Sequence, residues 1–250
     1  MTEAIRIGVA GVRGRMGRAV VAMAEEREGV LVAAQFDHPG PTDQDLAACQ
    51  VLIDFTTGAA SADLAVRAAG AGRPALVIGS TGFSDQEEAA VRAAAQAIAI
   101  VKSGNFSIGV TVLKDLVEQA ARKLGREGWD IEIFEAHHRH KRDAPSGTAL
   151  LLAEAAALGR GEALGDIEVR TRDAITHPRR DGDIGFSVMR GGGLVGEHAV
   201  IFAAEEEILT LSHSARDRRL FARGAIEAAV WVAGREAGLY DMTDVLGLRG

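Results

Sequence analysis

Along the first hundred residues, short runs rich in Val and Ile alternate with alanine-rich stretches whose apolar positions recur every three or four residues. Buried parallel strands read as near-continuous apolar runs, whereas amphipathic helices show a 3.6-residue period. The pattern predicts strands over 5–10, 30–36, 51–55, 75–78 and 98–101, with helices over 17–26, 60–69 and 85–97 between them. Strand and helix in strict alternation is the signature of βαβ units in a parallel sheet, not of hairpins.

After Phe106 the pattern changes. It predicts a helix over 108–124, a strand over 130–135, a loop, and a helix over 148–158. Strands over 167–172, 184–189, 195–203 and 207–214 then follow, separated by turn-rich segments that include Gly191, Gly192 and Gly193. Such spacing suits an antiparallel or mixed open sheet in a second, α+β domain. An amphipathic helix over 218–235 ends the regular pattern, and neither a repeat nor a low-complexity tract interrupts it.

Composition narrows the class. With 250 residues, 47% hydrophobic and 25% charged, the chain can bury one large core or two smaller ones, and disordered, collagenous and disulfide-knot classes are excluded. Cys49 is the sole cysteine, so neither an intramolecular disulfide nor a multi-cysteine metal site can form. The opening MTEAIRIGVAGVRG has no charged leader followed by an apolar segment. No apolar run nears the roughly 18 residues of a membrane span. A cytoplasmic protein is expected. The net charge is 28 − 35 = −7, which argues against nucleic acid or a membrane as the main partner. Any anion must therefore be held by a local cluster. Only 4 of the 28 basic residues are lysines, so each lysine draws notice.

Two segments carry candidate chemistry. In the first, Gly11-Val12-Arg13-Gly14-Arg15-Met16-Gly17 follows a predicted strand and opens a predicted helix, whose N-terminal N–H groups can face a pyrophosphate. Asp37 stands 20 residues beyond Gly17, at the end of the second strand, where a carboxylate accepts from ribose hydroxyls. The glycines fall as G-x-x-G-x-x-G, since Arg13 takes the second slot of the usual G-x-G-x-x-G. The plainer reading is a tight turn beside a surface aspartate. No Lys-Ser or Lys-Thr pair follows, so a phosphate-binding P-loop is disfavoured. Together these features give a Rossmann-type, doubly wound α/β half. Asp37 favours a free ribose, hence NADH, while His38, Arg13 and Arg15 offset its repulsion of a 2′-phosphate, so NADPH is expected to be tolerated. Asp54 to Thr57, Gly79 to Phe83 and Ser103 to Phe106 put small polar residues at other strand ends, where ligands bind in open α/β sheets or where ordinary loops run.

The second segment is EAHHRHKRDAPSGT, Glu135 to Thr148. His137, His138, Arg139, His140, Lys141 and Arg142 are consecutive, with no acid among them, in a chain that is acidic overall. Ser146, Gly147 and Thr148 then lead into a helix, which adds a second anion subsite. Lys141 with residues 146–148 suits a small dicarboxylate, and the histidines and Lys141 can move protons near neutral pH. The loop could instead be a solvated basic surface. A metal centre is disfavoured by spacing and by adjacent cations, and a nucleic-acid patch by the lack of interleaved aromatics. No G-x-S-x-G serine is present, and Cys49 is too isolated to be a nucleophile. Reduction by hydride with proton delivery remains.

Read together, GVRGRMG, IDFT (53–56), IGSTGF (78–83), GNFSIG (104–109), EAHHRHKRDAPSGTA (135–149), VGEH (195–198) and GLYDMTDVL (238–246) make the sequence resemble the 4-hydroxy-tetrahydrodipicolinate reductases, also called dihydrodipicolinate reductases, over nearly its whole length. The resemblance implies a cofactor domain from residues 1–106 and 218–250, and a substrate-binding and oligomerisation domain from 107–217, with hinges near Phe106 and Arg218. It implies a homotetramer in the diaminopimelate and lysine pathway. By this likeness His137 is the acid/base residue and Lys141 the proton donor, while His138, Gly147 and Thr148 hold substrate. The implied cofactor residues are Gly11, Val12, Arg13, Gly14, Arg15 and Met16, then Asp37 and His38, then Gly79, Ser80 and Thr81, and finally Ser103, Gly104, Asn105 and Phe106. Only 13 residues separate Asp37 from Val51, fewer than in many relatives, and His38 stands where an arginine often assists NADPH.

Overall fold

The computed structural model describes residues 3–173 and 175–248. In chain order β1 (Ile5–Ala10), α1 (Arg15–Glu25), β2 (Val30–Phe36), α2 (Asp43–Ala48), β3 (Val51–Asp54), α3 (Gly58–Gly70), β4 (Ala75–Ile78), α4 (Asp85–Ala94) and β5 (Ala99–Lys102) come first. Next are α5 (Ile108–Lys123), β6 (Asp130–His137), α6 (Gly147–Gly159), α7 (Leu164–Ile167), β7 (Glu168–Val169), β8 (Ile184–Arg190), β9 (Gly196–Ala203) and β10 (Ile208–Ala215). The chain ends with α8 (Arg219–Val232), β11 (Gly238–Tyr240) and α9 (Met242–Val245). It divides into two compact units, one of residues 1–108 with 219–250 and one of 109–218.

The first unit is a parallel sheet in the order β11-β5-β4-β3-β1-β2. Its inner strands are buried on both faces because side chains alternate sides. Val51 and Ile53 of β3 and Val77 of β4 join the core under α1 and α8, which holds Val20, Ala225 and Ile226. Leu52, Leu76, Ile78 and Ile100 point the other way, into a core with Leu64 and Ala68 of α3 and Val91 of α4. Two cores on one sheet are what doubly wound means physically. Cys49 lies in the second core, where burial, with the Asp45 charge, pushes its thiol up to about 11.

Capping residues set where the helices start. Thr42 with Asp45 and Ser84 with Glu87 form capping boxes at α2 and α4, each worth about 1 kcal/mol. The hydrophobic pattern does not reveal α2, whose six residues are too few to display a period, nor β11 and α9. Elsewhere in this unit β1, β2 and β4 keep their predicted ends, and the other elements shift by at most three residues.

The second unit is a mixed sheet in the order β10-β9-β6-β8-β7: β9 pairs antiparallel with β10 and β6, while β8 pairs parallel with β6 and β7. Ile131 and Ile133 of β6, Val200 and Phe202 of β9 and Ile184 of β8 face α5 and α6 through Leu113, Val117 and Leu152. The opposite face carries exposed Phe134, Met189 and Ile208. Two expectations are corrected here. The strand over 167–172 contracts to β7, which pairs with β8 only at Glu168 and Val169, because the polar residues beyond it have no apolar face to bury. The strand over 130–135 extends through His137, because β8 continues to pair with it up to His137 opposite Arg190.

Candidate active site

At the end of β1, Gly11 takes φ +71° and donates its N–H to the Phe36 carbonyl at 2.9 Å. A left-handed turn of this kind favours glycine. Gly14 donates to the Gly11 carbonyl at 2.9 Å and caps α1 without any side-chain bond, leaving the first helical N–H groups uncapped by side chains. A Cβ on Gly17 would collide with the Gly11 carbonyl, so the third glycine is fixed by packing. Val12 and Met16 lean on the core, while Arg13 and Arg15 are exposed. Asp37, just past β2, has Oδ1 3.4 Å from the Arg13 N–H nitrogen and Oδ2 3.5 Å from Arg13 Nε. A cavity of about 360 Å³ opens here, lined by Gly11, Asp37 and His38 and also by Thr56, Asp63 and Arg67. Asp63 and Arg67 come from α3; nothing in the sequence pattern marked them.

The other strand ends of this unit turn partly inward. Asp54, at the end of β3, is buried; its Oδ1 accepts from the Thr56 N–H at 2.8 Å and its Oδ2 from the Ser61 hydroxyl at 2.7 Å. Ser61 Oγ lies 2.5 Å from Ser80 Oγ. The Ser80 hydroxyl is thus committed to the interior, which leaves its backbone for the expected cofactor contact, while Thr81 is exposed. Ser103 donates to the Asn105 carbonyl at 2.7 Å, and Asn105 Oδ1 accepts from the Ser107 N–H at 2.8 Å, shaping a compact turn around Gly104. The Phe106 side chain is buried, edge-on to Phe55 at 5.5 Å, which leaves its backbone for the expected ligand role.

In the second unit a buried polar cluster forms where β6 ends and α6 begins. Residues two apart on a strand share a face, so Glu135 and His137 lie on the side of Ile131 and Ile133. Glu135 Oε2 is 2.6 Å from His137 Nδ1. Its Oε1 accepts from the Ser146 N–H at 3.0 Å. Arg190, from the end of β8, grips both carboxylate oxygens at 2.7 Å. Burial raises the Glu135 carboxyl, but bonds from Arg190, His137 and Ser146 outweigh it and hold it below the usual range. His198 of β9 lies edge-on to His137 with ring centres 5.0 Å apart, and its Nε2 is 3.0 Å from Ser146 Oγ. Burial, reinforced by His137, pushes His198 down to about 4, so it stays neutral.

The remaining site residues of this unit surround that cluster. His138 Nε2 accepts from Arg218 at 3.0 Å. Its Nδ1 must then carry the proton of the neutral ring, yet it is buried with no partner. Desolvation and the Arg218 charge lower the His138 pKa, which keeps the ring neutral. Lys141 Nζ lies 2.7 Å from Asp143 Oδ2, so the loop's cation run is partly balanced by the next acid along the chain. Arg139 donates its N–H to the Gly192 carbonyl at 3.3 Å, tying the triple glycine to the histidine loop. Ser146, expected beside the substrate, caps α6: it is buried, and its Oγ accepts from the Ala149 N–H at 3.2 Å. Gly147 is exposed and Thr148 half-buried at the first turn of α6. Glu135, Arg190 and His198 were not singled out from the sequence. Glu135 was detectable, because a charge at the inward position of an alternating strand must find a partner. Among the described residues, no group of three His, Cys, Asp or Glu is placed to hold a metal, and no helix is long and apolar enough to cross a membrane.

Comparison with known proteins covers both units. The family described as "Dihydrodipicolinate reductase, N-terminus" matches residues 5–106, and "Dihydrodipicolinate reductase, C-terminus" matches residues 109–246. A 4-hydroxy-tetrahydrodipicolinate reductase of Caulobacter vibrioides is 58% identical over 256 aligned positions, covering all of both chains. One of Rhizobium rhizogenes is 49% identical, covering 98% of each. Among solved structures, a dipicolinate-bound dihydrodipicolinate reductase from Paenisporosarcina sp. TG-14 shares the fold with TM-score 0.78 at 23% identity, covering 96% of this chain and 98% of its own. With both halves matched and full-length relatives at this identity, the chain belongs to the dihydrodipicolinate reductase family.

Proposed function

We propose that this protein reduces 4-hydroxy-tetrahydrodipicolinate to tetrahydrodipicolinate with NAD(P)H, as a step of diaminopimelate and lysine biosynthesis. The observation that carries the reading is the cluster at the end of β6, where His137 is anchored by a buried carboxylate beside Lys141 and an unpartnered His138 Nδ1. Relatives that match the whole chain bear the name of this activity.

The first unit suits a dinucleotide. The left-handed Gly11 turn and the α1 N-terminus without a side-chain cap offer N–H groups to a pyrophosphate. Asp37 and His38 line the adjoining cavity for the adenine-side ribose. Backbone groups of residues 79–81 and 103–106 would take the nicotinamide end. The bound cofactor supplies the hydride. Because Asp37 repels a 2′-phosphate while Arg13 and His38 attract it, NADH is preferred and NADPH tolerated. Asp37→Ala is expected to narrow the NADH-to-NADPH ratio of kcat/KM by about 1.4 kcal/mol, or tenfold; an unchanged ratio would place the ribose contact elsewhere.

In the second unit, Lys141, His138 Nδ1–H and the N–H groups of Gly147 and Thr148 would hold the two carboxylates of the substrate ring. The ring loses its 4-hydroxyl as water and gains hydride at C4. His137, as acid/base, and Lys141, as donor, deliver a proton to the neighbouring carbon. Their positive charge would stabilise the electron density that builds up on the ring nitrogen and carboxylates. The apolar sheet face with Phe134, Met189 and Ile208 is where a homotetramer would bury surface, in the cytoplasm. The activity is tested by following NADH oxidation on adding freshly condensed pyruvate and aspartate semialdehyde. Rapid oxidation is expected. Nucleotide binding without any oxidation would instead favour a sensor whose basic loop binds a partner.

A further inference from the structure

The geometry points to Glu135 as a positioning residue for His137: its carboxylate holds the ring with the proton on Nδ1, so that Nε2 is the atom that exchanges protons. This rests on the assignment of His137 as acid/base above, and adds how that nitrogen is selected.

Glu135 is fully buried, and its two oxygens meet donors on three sides: the Arg190 fork at 2.7 Å on each oxygen, the Ser146 N–H at 3.0 Å and His137 Nδ1 at 2.6 Å. An ionised carboxylate can only accept, so the ring nitrogen facing it must bear a hydrogen. Nε2 is left without a hydrogen in the neutral ring, and no protein group among the described residues bonds it. Gly196 keeps space in front of it: a Cβ there would stand 3.1 Å from Nε2, tighter than most side chains tolerate. His198, edge-on at 5.0 Å and tethered to Ser146, blocks the ring from swinging away from the carboxylate.

Arg190 settles what kind of help Glu135 gives. A lone buried carboxylate would lock His137 as a permanent imidazolium; paired with Arg190, it forms a neutral unit that keeps direction while losing most of its net field. The other titratable groups facing the His137 and His198 rings are Lys141 and His138 from the loop and His213 from β10. With Nδ1 committed to that unit, Nε2 is the nitrogen left to take and return a proton. The same logic, an acid fixing the tautomer of a catalytic imidazole without receiving its proton, operates in hydrolase triads.

Two measurements decide the matter. In the wild-type protein, nitrogen-15 NMR of labelled histidine should show neutral His137 protonated at Nδ1; protonation at Nε2 overturns the proposal irrespective of activity. In Glu135→Gln, Arg190 and Ser146 claim the single amide oxygen, the amide NH₂ turns toward the ring, and the proton should move to Nε2. We expect kcat to fall about a hundredfold or more with the KM for NADH unchanged, and the His137 limb of the pH profile to move down because Arg190 is no longer balanced. Glu135→Asp should recover part of the rate and the wild-type tautomer. If Glu135→Gln keeps both tautomer and pH limb, the residue is merely structural. A fully active His137→Ala would instead overturn the acid/base assignment while the NMR result still decides the role of Glu135.

Discussion

Each unit buries one carboxylate at the end of a strand beside the start of a helix, and the two are closed off differently. Asp54 bonds the Thr56 N–H and the Ser61 hydroxyl, which runs on to Ser80, and no buried polar atom in that chain lacks a partner. Glu135 bonds a guanidinium and an imidazole, and its neighbourhood leaves His138 Nδ1 and His198 Nδ1 buried without partners. Hydroxyls and backbone groups satisfy a carboxylate and end the network, whereas an imidazole passes it on, because the ring has a second nitrogen that can titrate. A saturated cluster braces the fold; an unsaturated one is equipped for chemistry.

The strongest way to break that contrast is to remove a group from each cluster. His137→Ala and Lys141→Ala are each expected to lower turnover about a hundredfold or more, with NADH affinity nearly unchanged; steady-state kinetics and a cofactor titration check this, and an equal loss of cofactor binding would defeat the assignment. Asp54→Ala should do the reverse. It strands the Thr56 N–H and the Ser61 hydroxyl, costing about 3 kcal/mol in a urea unfolding curve, while kcat per folded molecule stays within about twofold. A hundredfold drop in kcat at unaltered stability would show that the saturated cluster is chemical after all.

A smaller effect separates the clusters by pH. His198 has an ordinary value of 6.5 and is held at about 4 in the fold. Between those values the unfolded chain binds the extra proton, so stability is present above about 6.5 and is lost as pH falls through the window, at up to about 1.4 kcal/mol per unit. Half-buried His213 adds to the same slope. Glu135, whose pKa is depressed, loses its contribution only at still lower pH, on falling below its ordinary 4.5 toward its folded value. His198→Gln should remove about one proton from the slope measured by urea unfolding between pH 4.5 and 6.5. An unchanged slope would mean that His198 is not the group resisting protonation.

Much of this was legible in the chain. β1, β2 and β4 were readable to the residue, because parallel strands buried on both faces spell continuous apolar runs bounded by turn residues. The end of β6 was not: AHHRH has no apolar alternation, and the strand continues only because β8 pairs with it. The segment from Glu135 to Thr148 was recognisable as the chemical one, yet its composition concealed which side chains face inward. Ser146 and Lys141 look alike as polar loop residues, but one caps a helix and the other pairs with Asp143. Arg190 is 55 residues from Glu135 in sequence, and only the parallel register brings them together. Side-chain direction in loops past strand ends has no period to read, which is why the inward turn of the Ser80 and Phe106 side chains was not legible in the sequence.

Ser80 gives the finest test, because its expected effect is the smallest and the two readings of it predict opposite outcomes. Its neighbours in IGSTGF point to a cofactor loop, and Thr81, one residue on, is exposed. The Ser80 hydroxyl itself is only 6% exposed as a residue and lies 2.5 Å from Ser61 Oγ, at the far end of the chain that starts on Asp54. Truncation to alanine keeps the backbone N–H groups of the loop and removes one hydrogen bond from a saturated cluster. The expected cost is about 1 kcal/mol of stability, with the KM for NADH within about twofold of wild type. A hydroxyl that met the cofactor would do the opposite: KM would rise about fivefold or more and the unfolding midpoint would stay in place. Since Asp54→Ala strands two donors and Ser80→Ala removes only the terminal link, the ratio of their stability losses also measures how far the network is shared along its length.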